Sequence, residues 1–345
     1  MSINLLTPAQ IAQLSTTAIQ ALSATDIASL SASQIAAINT TDIAVIDATQ
    51  LAALTTNEVK GLTTTQIPLL NNSLTFGIAQ LQVLSTQQVS ALTNTQVLAM
   101  AATQVDALKA SQLGALSTTN FNSLSATAIQ GLSAATQMSG FTAAQLAGIT
   151  STVLGNFSAA QIDSLSAAQI GALTTTSFNS LGATAIGGLT ASKLAGVTTT
   201  QISNLTSTAL GALSSTQIGE LSTVQVNALT STNVGLLNAT TQVNGLTAAQ
   251  IGAMNATVFG GLTSTQLGNF TTAQIGGLTT AQVKTFSTTD FGALHDTQID
   301  AMKSSQLGAL STTNFNSIDQ TGIQALSTAT QLTGLTTTQL AGLTS

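Results

Sequence analysis

The chain has no cysteine and no arginine, and one histidine in 345 residues. Without cysteine, neither a disulfide nor a thiolate metal site can form. Five lysines, at Lys60, Lys109, Lys193, Lys284 and Lys303, face eleven acidic residues, for a net charge of −6. Binding nucleic acid requires clustered cations to displace counterions, and an anionic membrane surface attracts polybasic segments. Neither partner is expected. Long apolar runs are also missing. A bilayer span takes about 20 predominantly apolar residues, whereas Ser, Thr or Gln interrupts this chain every few positions, so no membrane insertion is expected. The first residues lack the basic start and apolar stretch of a secretory signal. Charged residues make up only 5%, but 43% of the chain is hydrophobic, more than a disordered segment carries. The chain should fold.

What is present is one phrase of eight residues, repeated from Leu6 onward. A lead apolar residue falls at Leu14, Leu22, Leu30, Ile38, Ile46, Leu54 and Leu62. A second follows five places later, at Ile19, Ile27, Ile35, Ile43, Leu51, Val59 and Ile67. Such fixed-period self-similarity marks a solenoid or array, in which each unit contacts only its neighbours. The domain expectation is one continuous array over residues 1–345, irregular at 70–84.

The polar positions predict the local structure. Ser31 with Gln34, Thr247 with Gln250 and Thr271 with Gln274 have capping-box spacing, in which a hydroxyl accepts from the N3 amide and Gln returns to the N-cap amide. Leu30 and Ile35 then stand at N′ and N4, the hydrophobic-staple pair. Pro8 falls at N1, where its missing N–H costs nothing. Asp26, Asp42 and Glu58 place negative charge in the first turn, where the helix dipole favours it. One long helix is excluded, because eight residues at about 100° each turn the apolar stripe by roughly 80° per repeat. The expectation is an all-α solenoid of very short capped helices, one per repeat, with a Thr-rich β-solenoid as the alternative. Phe121, Phe178, Phe259, Phe291 and Phe315 take the second apolar slot, and Phe141, Phe157, Phe270 and Phe286 the first. These are core positions.

Residues 132–140, 237–245 and 326–334 form nine-residue units, with one extra residue before Gln, read as relaxing twist or making a small bulge. The break at 70–84, containing Phe76, is the candidate kink. Residues 108–151 align without gaps with 302–345, as block duplication would produce. The two ends are in complementary phase: Ile3 would occupy the second apolar slot of a unit begun at Leu343. That predicts a split repeat completed between copies, a heterologous contact of the kind that builds open filaments. The expected subunit interface is Ile3, Leu5, Leu6 and Gln10 at one end and Leu335, Gln339, Leu340 and Leu343 at the other. The apolar members extend the core across the junction, and Gln10 and Gln339 cap the flanking helices.

The segments ending at Ile251 and Val283, Leu-Thr-Ala-Ala-Gln-Ile and Leu-Thr-Thr-Ala-Gln-Val, resemble the octapeptide repeats of large bacterial surface and secreted proteins. The resemblance covers nearly the whole chain and implies a filamentous or adhesive role in an extracellular or cell-surface setting. The expected function is a structural subunit assembling head to tail with itself. The alternative is a monomeric adhesin stalk or an ice- or surface-binding module presenting a Ser/Thr face. No enzyme activity and no cofactor or metal are expected. His295, beside Asp296 and near Asp300, sits in the Ser/Thr slot facing solvent. No second histidine exists to activate a serine, and one imidazole with two carboxylates makes a poor metal site.

Overall fold

A computed structural model of the chain describes residues 3–71, 76–327 and 329–342, without the side chains of residues 321 and 325. The described residues contain 38 α-helices of four to six residues and four 3-10 turns, and no strand. The all-α expectation holds, and the β-solenoid alternative does not.

The helix Ala32–Ala37 shows how a repeat builds one. Ser31 is extended at φ −82° and ψ 161°, and its hydroxyl accepts from the Gln34 amide at 3.3 Å. Gln34 Oε1 accepts from the Ser31 amide at 2.7 Å. The helix stops at Ile38, again extended at φ −60° and ψ 124°, so each lead residue is also the corner into the next repeat. Pro8 opens the helix Pro8–Ile11 as its sequence position predicts. Helices this short are unstable alone, and packing must hold them.

Packing runs between repeats three apart. Pro8–Ile11 lies against Ala32–Ala37, and Ala24–Ala28 against Ala48–Ala53. Farther along, Ser215–Glu220 lies against Gln242–Gly245, and Ala248–Ala253 against Thr272–Gly277. One coil of the solenoid therefore takes three repeats, a number the sequence pattern did not give. Lead and second apolar residues of the inner coils, such as Ile35, Ile38, Ile43 and Ile46, are buried. All ten phenylalanines are buried as well. Phe121, Phe141 and Phe157 form a cluster, with the first two edge to face at 4.8 Å between ring centres. Coils approach closely at the residue before the lead. A Cβ on Gly61 would lie 2.2 Å from the carbonyl oxygen of Ala32, and one on Gly245 would lie 2.1 Å from that of Ser215.

Of the break at 70–84, residues 72–75 lie outside the described residues, and the repeat is in phase again from Phe76. Phe76 is buried in the lead slot, and Ile78–Val83 forms the helix of its unit, so the preceding unit spans only residues 70–75. Phe76 thus joins the other nine phenylalanines in the core.

The chain divides into two compact units, Met1–Ser180 and Leu181–Ser345. The octad runs unbroken through this division, whereas the shortened repeat lies inside the first unit. The second unit begins with Gly182 in place of a capping hydroxyl. Gly182, at φ +80°, is the one positive-φ residue described. Leu181 before it is helical rather than extended, and Gly182–Gly187 starts without a side-chain cap. Glycine is needed there because a Cβ disfavours this backbone region.

Candidate assembly surfaces

The fifth residue of the repeat, read from sequence as a local cap, is buried and works in two directions. Gln50 is 2% exposed. Its Oε1 accepts from the Asp47 amide at 3.1 Å, which caps its own helix. Its Nε2 donates to the carbonyls of Ile19 at 2.8 Å and Leu22 at 2.9 Å, 31 and 28 residues earlier. Those carbonyls sit where a helix one coil back ends, and helix-terminal carbonyls lack intrahelical partners. One amide thereby caps the start of one helix and the end of another. The same pairing joins Gln66 to Ile35 and Ile38, and Gln274 to Val243 and Leu246.

The ladder counts repeats, not residues. After the six-residue unit, Gln80 reaches Leu51 and Leu54, 29 and 26 residues back. In the nine-residue unit Gln242 reaches Leu210 and Leu213, 32 and 29 back. Each spans three units. In the long units the extra residue widens the turn before Gln, so Gln137 Oε1 accepts from Ser133, four residues away, at 2.6 Å. The bulge half of the sequence expectation is what the chain adopts.

The Gln half of the box survives where the hydroxyl is lost. The amides of Ala101, Lys109 and His295 each donate to the Gln three residues on, at 2.7, 2.9 and 2.7 Å. Shorter side chains in the slot reach less. Asn120, Asn233 and Asn314 each bond one carbonyl, 28 residues back. His295 is exposed, with no side-chain capping bond. Among the described residues no three His, Cys, Asp or Glu side chains gather at metal-binding distance.

The predicted interface residues fall at the two ends of this ladder. Within the first unit, Ile3 and Leu6 are half-buried, and Leu5, in the 3-10 turn Ile3–Leu5, is 74% exposed. Gln10 is exposed. Its Oε1 accepts from the Thr7 amide at 2.9 Å, and its Nε2 meets no described acceptor. The Leu6 carbonyl already belongs to the ladder, accepting from Gln34 at 2.6 Å. Within the second unit, Leu335 is half-buried and Leu340 is 52% exposed. Gln339 is buried, not facing a free end. It caps its helix through the Thr336 amide at 2.8 Å and bonds Leu307 and Leu310 at 2.8 and 3.1 Å. Leu343 lies outside the described residues. No described glutamine reaches the carbonyls of Ile323, Leu326 or Leu332. Nothing in the sequence distinguishes a buried Gln from an exposed one, since both occupy the same slot of the same phrase.

Residues 35–72 match the family described as the ALTTAQ repeat. That stretch is similar to the family's repeat, and the chain is a repeat protein. No curated protein and no solved structure matches the chain. No described helix is long and apolar enough to cross a membrane.

Proposed function

We propose that this chain is a structural subunit that assembles head to tail with itself into an extracellular bacterial filament. The observation that carries the reading is the complementarity of the ladder's two ends. The first coil presents an exposed amide donor at Gln10, and the last coils present helix-end carbonyls that no described glutamine reaches. Dock the described surfaces of two copies so that Gln10 of one continues the ladder past Leu326 of the other. Gln10 then stands three units beyond Leu326, and its Nε2 falls to the carbonyls of Ile323 and Leu326. Exposed Leu5 and Leu340 flank that contact and supply apolar area to bury. The bacterial surface setting rests on the resemblance of the octapeptides alone. The reading is of a structural protein and not an enzyme, and a Ser/Thr ligand face is disfavoured because second-position hydroxyls act as helix caps.

Negative-stain electron microscopy over a range of concentrations tests it. Fibres of uniform width should form with the natural chain and fail with Ile3→Asp, Leu340→Asp and Gln10→Glu, each still helical by circular dichroism. Gln10→Glu would set a carboxylate against carbonyls, replacing a donor with an acceptor. Dispersed particles at every concentration would overturn the reading.

A further inference from the structure

The ladder glutamines reach back to an earlier coil, but two asparagines reach on to a later one. Asn122 stands two places past the ladder slot in the repeat led by Leu116. Its Nδ2 donates to the carbonyl of Gly148, 26 residues on, at 2.8 Å, and its Oδ1 accepts from the Thr150 amide, 28 residues on, at 3.1 Å. Asn227 repeats the clasp in the second unit. It meets the Ala253 carbonyl at 2.8 Å and the Asn255 amide at 2.7 Å, over the same 26 and 28 residues.

Each clasp closes on a repeat whose own cap is incomplete. Val153 and Val258 stand where glutamine stands elsewhere, so the Thr150 and Asn255 amides lack the usual local acceptor. The repeats on either side differ. Thr142 and Ser158 give their amides to Gln145 and Gln161 at 3.0 and 2.8 Å. Thr247 and Thr263 give theirs to Gln250 and Gln266 at 2.7 and 2.8 Å. An asparagine set one repeat early or late would face an amide already taken. The backward ladder has no such preference, because it bonds main-chain carbonyls that every repeat offers. A coil that looped out one octad would still satisfy it.

We propose that Asn122 and Asn227 are register keys, each selecting the repeat that the next coil lays beside it. A single asparagine fixes the alignment of a coiled coil on the same principle, since one register satisfies its hydrogen bonds and the others leave them unmade. Near-identical repeats make slippage the error to guard against, and the guard is a penalty on the wrong alignment. The keys lie within one chain and do not depend on filament assembly.

The test separates a key from a substitute cap. The chain has no cysteine, and a Cβ on Gly148 would lie 3.6 Å from that of Thr118, within disulfide range. Thr118→Cys with Gly148→Cys therefore reports the native alignment beside the clasp. Val153→Gln, alone or with Asn122→Ala, gives the Thr150 amide a local acceptor and removes the key. Refolded rapidly from urea while reduced and then oxidised, the reporter chain should cross-link almost completely. Both key-less variants should cross-link about half as much or less, while exchange at the Thr150 amide stays within about twofold of the reporter chain. Asn122→Ala without the added glutamine should exchange that amide about tenfold faster. Complete cross-linking of the Val153→Gln chain would overturn the proposal and leave the asparagine a substitute cap. So would loss of the cross-link and of amide protection together, which would mark unfolding and not a slipped register.

Discussion

Gln50 and Gln10 occupy the same slot of the same repeat and make the same capping bond, yet one is buried and the other exposed. Gln50 has a coil behind it and uses both ends of its amide. Gln10, in the first coil, uses one. The lead residues follow suit: Leu14 and Leu22 of the first coil are half-buried, whereas those from Leu30 to Leu92 are buried. Local sequence therefore specifies a helix start, and only a neighbouring coil turns that start into a buried cross-link. The capping box folds the repeat, and its leftover hydrogens stack it.

Three substitutions in the first unit should separate these contributions. Gln50→Leu should have the largest effect, about 2–4 kcal/mol, because it leaves the Asp47 amide and two helix-end carbonyls without their side-chain partner. The loss should appear as faster hydrogen exchange in residues 19–22 as well as 47–51; a change confined to 47–51 would reduce the residue to a local cap. Gly61→Ala should cost about 1–3 kcal/mol through overpacking against the Ala32 backbone, read as a lowered denaturant midpoint. Gln10→Leu should cost under about 1 kcal/mol in the monomer, the value of one exposed cap, and a calorimetric loss equal to that of Gln50→Leu would erase the distinction.

The smallest effect concerns acid. Partial burial raises the Asp290 carboxyl, but hydrogen bonds from the Ser287 and Ser264 hydroxyls and the Ser287 amide outweigh it and hold the group below the ordinary carboxylate range. A folded-state value below the unfolded one contributes stability above the ordinary carboxylate range and loses it as pH falls through the lowered value. Asp290→Asn should therefore flatten the acid limb of the thermal stability curve slightly, with little change near neutrality. An unchanged acid limb would show that the three bonds do not favour the charged form.

The octad, the N-caps, the N1 proline and nine of the ten core phenylalanines were legible because each depends on residues within one phrase. The second role of glutamine was hidden by the success of the first: a capping box accounted for the residue, and nothing local reports a carbonyl 28 residues away. Asp42 and Glu58 were read as dipole partners for the same reason, though both lie buried between coils. The repeat at 70–75 looked like a break because sequence counts residues, whereas the folded chain counts turns. The proposed interface residues were chosen by phase alone; Leu5, Gln10 and Leu340 are exposed, whereas Gln339 is buried against the previous coil.

Because each rung reaches back three repeats and no farther, tension on the chain meets many separate bonds in series. Losing one coil frees three octads, 24 residues, or roughly 80 Å of slack, and leaves the coils beyond with their own rungs. Pulled along its length, such a coil would lengthen stepwise and re-coil from any surviving turn, absorbing load instead of failing at a single core.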